Sequence, residues 1–307
     1  MIRNFLVIML LSLSMSIAQT REIAITIDDL PVVTRVQDQD WQIEITDSLL
    51  KHLKKYDVPA AGFIIKNKVI NSEGVNTFQL NLLKKWYAAG MELGNHTYSH
   101  KSLNKISSSE YISDIELGDE VFTQIEINFK PVLFRHPFLH TGRDSITRSA
   151  VNNYLSDNSY VIAPVSIDNA DYIYARAYEN AIRNNDENIR KQIASDYLSY
   201  MTRVVEYYEN QSELLLGYEI KQILLLHANR LNADLFDELA RMLVLRGYKF
   251  IPVKEALKDP AYALADNYFG AGGISWLHRW ALTQGKRGEF FKGEPEVSEF
   301  VNKIATD

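Results

Sequence analysis

Short runs of aliphatic, β-branched residues alternate along the chain with longer stretches of helical period. Ile23–Ile27 reads Ile-Ala-Ile-Thr-Ile, nearly continuous in apolar side chains, as a strand covered on both faces requires. Trp41–Tyr56 spaces Ile45, Leu49 and Leu53 four residues apart, on one face of a helix. The same alternation continues. Ala60–Ile65 predicts a strand, Asn76–Ala89 a helix stopped by Gly90, and Met91–Asn95 a strand. Ser107-Ser-Ser-Glu110 has the spacing of a capping box and predicts a helix to about Ile127. Val132–Arg135, Tyr160–Val165, Ile223–His227 and Lys249–Val253 predict further strands, with helices over Thr147–Leu155 and Asn232–Arg246. A long helical stretch runs from about Tyr174 to Leu216. From Lys258 the chain is rich in Gly and aromatic residues, and its pattern predicts no element.

Strand and helix in alternation predict an α/β fold with a parallel sheet. About seven such strands predict a distorted or incomplete (β/α) barrel. No repeat, low-complexity tract or linker divides the chain, so a single domain is expected over 19–257. It carries a helical insertion at about 174–216, read first as a plain solvated helical pair, with a lid, a partner surface or a groove wall as the alternatives. Residues 258–307 are expected to form a C-terminal extension packed on the domain.

Met1-Ile-Arg-Asn, an apolar stretch from Phe5 to Leu13 and Ser16-Ile-Ala18 predict a signal peptide over 1–18. The mature chain is then periplasmic or secreted. The apolar stretch is too short for a comfortable span, so no stable membrane insertion is expected once it is removed.

Composition narrows the chemistry. The net charge is −6, with no long basic run, which argues against nucleic acid as a partner. There is no cysteine, so disulfides, thiolate metal sites and a cysteine nucleophile are excluded. A transition metal must be held by His and carboxylate.

Such residues stand at telling places. Asp28-Asp29, His96 and His100, Arg135, Asp171 and His227 all fall at or just past the end of a predicted strand. In a β/α barrel those ends gather at one face, where active sites lie. Asp29, His96 and His100 make a two-histidine, one-carboxylate set with open positions, which suits zinc. Consecutive side chains diverge, so Asp28 is left to face a bound water as general base. The same Asp-Asp-x-Pro run also fits a turn in which Asp caps backbone amides. His136 and His140 are candidates for a groove wall or plain loop histidines, and His52 reads as surface. Trp276, His278 and Trp280 either stack on a ligand or anchor the tail.

Five short motifs, in order, resemble those of the polysaccharide deacetylases with the NodB homology domain, carbohydrate esterase family four. They are Thr26-Ile-Asp-Asp-Leu-Pro31, His96-Thr-Tyr-Ser-His100, Arg135-His-Pro-Phe138, Asp168-Asn-Ala-Asp171-Tyr172 and Leu225-Leu-His227. The resemblance implies Asp28 as general base and Asp29, His96 and His100 as ligands of a divalent metal, Zn2+ first, with Co2+ or Ni2+ as alternatives. It implies His227 as the acid that protonates the leaving amine, Asp171 as its partner and Arg135 as the partner of Asp28. It also implies Pro137, Phe138 and Tyr172 against the substrate, with the metal and the Phe138 backbone N–H at the oxyanion. Three positions depart from the family pattern: Leu30 stands for glycine, which makes the loop after Asp29 bulkier, Ile27 stands for phenylalanine, and Tyr172 stands for tryptophan.

The expected activity is removal of N-acetyl groups from sugars of an acetylated glycan. The alternatives are an O-acetyl esterase or small-amide hydrolase of the same fold, or a glycan-binding protein without turnover. Oligomeric state is not legible in the sequence.

Overall fold

The computed structural model describes residues 21–126 and 132–306, so the predicted signal segment 1–18 and the predicted helix end at Ile127 lie outside the described residues. In chain order the elements are β1 (Arg21–Val33), α1 (Gln39–Lys55), β2 (Ala61–Ile64), a small hairpin of β3 (Ile70–Asn71) and β4 (Gly74–Val75), α2 (Thr77–Ala88), β5 (Glu92–Asn95) and α3 (Ser108–Gln124). Then follow β6 (Val132–Phe134), α4 (Ser145–Asp157), β7 (Tyr160–Ile162), α5 (Asp171–Arg183), α6 (Glu187–Leu216), β8 (Gln222–Asn229), α7 (Arg230–Leu245) and β9 (Tyr248–Phe250). Three helices follow: α8 (Val253–Ala256), α9 (Trp276–Thr283) and α10 (Glu299–Thr306). The capping box forms, with Ser107 Oγ accepting from Glu110 N.

Seven strands make one parallel sheet in the order β7-β6-β5-β2-β1-β8, with β9 also paired to β1. Its two ends come back together. Just past β7, Ile167 pairs with Leu224 of β8, and Leu225 N donates to the Ile167 carbonyl over 3.2 Å. Ser166 Oγ donates to Gln222 Oε1 (2.7 Å) and accepts from Ile223 N (2.7 Å). The sheet is therefore a distorted barrel whose seam is closed by the segment after β7 rather than by a full strand.

The two-residue period sorts each strand into an outer and an inner row. Ile23, Ile25 and Ile27, with Leu224 and Leu226, join the main core under the helices. Ala24, Ala61, Phe63, Leu133 and Ile223 fill the barrel interior as a separate cluster. The inner row continues toward the strand ends through Thr26 to Asp28, from Gly94 to His96, from Leu133 to Arg135, and through Leu225 to His227. The alternation that packs the barrel thus delivers four chemical side chains to one end of it.

The stretch 174–216 is a helical pair as expected, broken where Asn185 takes a left-handed φ of 54° and Asp186 caps α6 by accepting from Ile189 N. One expectation changes, because the pair is not solvated: Ile193, Tyr197, Met201, Val204, Val205 and Tyr208 of α6 are buried. Four tyrosines on that helix bury their rings while keeping their hydroxyls bonded, a polar tip that disguises an apolar stripe. The tail, whose pattern predicts no element, is tied down as well. Leu277 and Trp280 of α9 and Val301 of α10 are fully buried.

Candidate active site

β1 does not stop at Ile27. It runs to Val33 through a bulge, where the register with both neighbours shifts and Asp29 takes a φ of 67°. In a regular strand Asp28 and Asp29 would face opposite sides. The bulge breaks that alternation, and both carboxylates line the same cavity. Lys68 holds the bulge from behind, its Nζ donating to the Asp29 carbonyl at 2.7 Å and the Val32 carbonyl at 3.2 Å.

Leu30 does not enlarge the loop, contrary to expectation. It is fully buried, and a Cβ on Gly62 would overlap its side chain. The bulk that replaces a glycine here is absorbed by a glycine on β2.

His96 and His100 sit on a tight loop rather than a helix, with left-handed φ at Thr97 (67°) and His100 (55°). Asn95 Oδ1 accepts from Thr97 N (2.6 Å), and the buried Asp114 of α3 accepts from Ser99 N (3.1 Å) and Ser99 Oγ (2.7 Å). The loop is therefore fixed before any ligand arrives. His96 Nδ1 lies 2.7 Å from the Arg135 carbonyl, which leaves Nε2 as the outward nitrogen. Asp29 Oδ1 is 3.4 Å from Nε2 of His96 and 3.4 Å from Nε2 of His100.

These donor atoms all lie within 4.8 Å of one another. Asp29 Oδ1 is buried and has no hydrogen-bond partner, an arrangement costly without a cation. Burial and the neighbouring His96 push the His100 pKa down to about 3, so its ring is a neutral donor. The three residues thus fit a divalent metal of the zinc type.

Asp28 is buried beside them, its Oδ2 3.8 Å from His96 Nε2 and 4.0 Å from Arg135 Nη1. Its Oδ1 is buried without a partner. Arg135 is fully buried; Nη2 donates to Thr26 Oγ1 (2.9 Å) and the guanidinium lies 4.8 Å from the Phe63 ring centroid.

His227 completes the group. Its Nδ1 is 2.7 Å from Asp171 Oδ1, and its backbone N donates to Asp171 Oδ2 at 2.8 Å. Asp171 opens α5, is fully buried, and also accepts from Asn232 Nδ2 at 2.6 Å. Burial alone would lower the imidazole pKa. The Asp171 carboxylate first, with the Asp29 and Asp28 charges adding to it, overrides this and raises His227 to about 10.

One cavity of about 820 Å³ is lined by Asp28, Asp29, His96, His100, Phe138, Tyr172 and His227. Arg135, Asp171 and Pro137 are not among the lining residues; Arg135 lies beside Asp28 and Asp171 beside His227. The Phe138 ring is 4.4 Å from the His100 ring, and Tyr172 is edge-on to His227 at 6.4 Å. The other candidates lie elsewhere. His136 is buried with Nδ1 3.1 Å from Tyr111 Oη, and His140 Nδ1 is 2.7 Å from Ser102 Oγ. His52 of α1 sits 3.6 Å from Asp237 of α7, and His278 Nε2 is 3.1 Å from Tyr207 Oη. Trp276 N donates to the Val165 carbonyl at 2.7 Å, and Trp280 is buried, so both anchor the tail.

Several contributors escape the sequence. Asp114 is a buried charge on the apolar face of α3 beside Tyr111, Ile115 and Gly118, and that misplaced polarity is its signal. Asp168 lines the cavity, where burial raises its pKa to about 7. Tyr200, Tyr208 and Glu294 line it too, and nothing local marks them.

A barrel with this donor set defines a class of α/β protein with a candidate metal site, and comparison sets it beside known proteins. Residues 17–155 match the model of the polysaccharide deacetylase family. The match takes in Asp28, Asp29, His96, His100 and Arg135 and ends before Asp171 and His227. Among curated relatives, a peptidoglycan-N-acetylglucosamine deacetylase of Bacillus cereus is 26% identical over 151 residues, 49% of this chain and 46% of that protein. A chitin deacetylase of Colletotrichum lindemuthianum is 29% identical over 143 residues, 46% of this chain and 54% of that protein. The chain thus spans about half the length of these relatives. In solved structures the fold resembles a mutant of a family-four pseudoenzyme (TM-score 0.52, 19% identity, 78% of this chain and 68% of that one). It also resembles a peptidoglycan N-acetylglucosamine deacetylase in complex with an N-oxidanyl-benzamide (TM-score 0.50, 22% identity, 76% and 87% covered).

Proposed function

We propose that the protein is a metal-dependent hydrolase that removes N-acetyl groups from sugars of an oligosaccharide or polysaccharide. One observation carries this reading: a single cavity holds a buried free carboxylate, a donor set of two histidines and one aspartate, and an imidazole backed by a carboxylate. Amide hydrolysis needs a base at the water and an acid at the nitrogen, and these residues divide the two tasks.

A divalent cation held by Asp29, His96 and His100 supplies Lewis acidity toward the acetyl carbonyl and lowers the pKa of a water beside it. Asp28 takes the proton of the attacking water. Arg135 stands beside it, with Nη1 4.0 Å from its Oδ2. His227 is cationic at neutral pH and gives its Nε2 proton to the nitrogen as the C–N bond breaks. Asp171 fixes the ring by its Nδ1 and keeps it charged. Phe138 and Tyr172 flank the acetyl position.

The test is acetate release from a panel of N- and O-acetylated glycans and small amides, with chelator and then zinc, cobalt or nickel. N-acetylated saccharides are expected to react, chelator to stop them and zinc to restore them. Turnover confined to esters or to non-sugar amides moves the protein to the alternative hydrolase readings; binding without acetate release moves it to the non-catalytic one. Activity unchanged by chelator overturns the metal.

Export is proposed from Met1–Ala18. N-terminal sequencing of protein from the periplasm or medium should begin at Gln19, and an intact Met1 in cytoplasmic protein would contradict it.

A further inference from the structure

The segment matched to the family ends at residue 155, yet much of the cavity wall comes from later in the chain. Helix α6 contributes Tyr200, Val204 and Tyr208. The C-terminal tail contributes at two places: Gly273 beside Phe138 and Leu139, and Glu294–Val297 beside α6. Gly273 is required where it stands, because a Cβ there would overlap the Phe138 carbonyl.

Both tail segments are fastened. Near Phe138, Asn104 Nδ2 donates to the Ala271 carbonyl (3.1 Å) and Arg148 Nη1 to the Asp266 carbonyl (2.7 Å). Between the two segments, Ser275 Oγ donates to the Ser166 carbonyl at 2.6 Å, on the seam that closes the barrel. Near α6, Tyr208 Oη donates to Glu294 Oε1 (3.1 Å), Gln211 Nε2 to the Phe290 carbonyl (2.8 Å) and Ser298 Oγ to Asp196 Oδ2 (2.6 Å). Asn180 Nδ2 of α5 donates to the Ile304 carbonyl (2.8 Å), and Val301 is fully buried. The tail is thus a fixed wall and not a mobile flap.

We infer that α6 and the tail turn the metal-bearing cleft into a closed-ended pocket that accepts the terminal sugar of a chain, or a short saccharide, and excludes the interior of a polymer. The inference rests on the deacetylase reading. A volume of about 820 Å³ falls within the range of roughly 300–1,000 Å³ of small-ligand pockets. A polymer crossing the reacting position needs room on both sides. On the Tyr172 side, where Tyr200 Oη accepts from Ala170 N at 3.0 Å, the cavity meets Tyr200, Tyr208 and Glu294 instead. These aromatic faces and polar tips suit the end of a sugar chain, with apolar ring faces and hydroxyls to satisfy.

The experiment compares the full-length zinc protein on N-acetylated oligomers of increasing length and on a long polymer of the same sugar. Mass spectrometry then locates the freed amine. A single free amine at one terminal sugar is expected, with kcat/KM per sugar lower for the polymer by roughly tenfold or more. Amines spread through the interior, or equal rates on polymer and short oligomer, overturn the inference and leave the deacetylase reading standing. If no acetylated saccharide releases acetate, the reading falls and the inference with it. A second protein, Glu294→Gly with Glu296→Gly, trims two side chains of the wall. It should raise the polymer-to-oligomer ratio and admit interior sites; an unchanged ratio counts against the wall.

Discussion

Replacing Asp171 by Asn keeps the shape behind His227 and removes its charge. Asp171 is fully buried, 2.7 Å from His227 Nδ1, and is the largest influence raising that imidazole to about 10 from an ordinary 6.5. Those 3.5 pH units correspond to about 5 kcal/mol, at about 1.36 kcal/mol per unit. Without the carboxylate, burial pulls the ring back, with the ordinary 6.5 as its upper limit. At pH 8 the native ring is almost wholly protonated, whereas at most about 3% of the variant's rings are. At pH 6 the protonated share of the variant is more than about tenfold larger than at pH 8. If His227 is the acid, Asp171→Asn loses about 30-fold or more in acetate release at pH 8, and a factor more than about tenfold smaller at pH 6. Nitrogen-proton NMR of the imidazole gives the titration independently. A loss of equal size at both pH values, or an imidazole pKa that stays put, refutes the charge argument and leaves only positioning. The same linkage predicts stability. A raised folded pKa stabilises fully below about pH 6.5 and fades as pH rises through about 10, so the variant's deficit should be largest at the acid end.

Leu30→Gly should cost about 3 kcal/mol or more in denaturant unfolding, because a fully buried side chain is lost over Gly62, while kcat changes little. A variant of native stability with altered substrate range would show that Leu30 reaches the pocket after all. Lys68→Met should weaken metal binding by about 10–100-fold in a competition titration, since the Asp29 bulge loses its two carbonyl contacts. Unchanged affinity would mean the bulge holds itself.

The inner row of the barrel is legible in the sequence because a two-residue period is local. Once Ile23–Ile27 is a buried strand, Asp28 must follow its inner face, and Ile223–His227 places His227 by the same rule. The donor set is legible from spacing and from the resemblance of the motifs. The bulge is not. Asp29 joins Asp28 in the cavity through a left-handed residue, and the sequence shows only two adjacent acids. Leu30 misleads for a related reason: its place depends on Gly62, a residue on another strand. The helices at 174–216 read as solvent-facing because tyrosines carry polar tips, although their rings are core. The tail's role is wholly tertiary. Glu294 reaches the cavity because Tyr208 and Gln211 hold the segment around it, and no periodicity announces that.

The central claim is that Asp28 is the base and Asp29 the ligand. The most direct measurement is acetate release by Asp28→Asn, with metal content determined on the same sample. One divalent ion should remain bound through Asp29, His96 and His100, while acetate release falls by about 10²–10⁴-fold. A variant that keeps its metal and still releases acetate at the native rate would contradict the account.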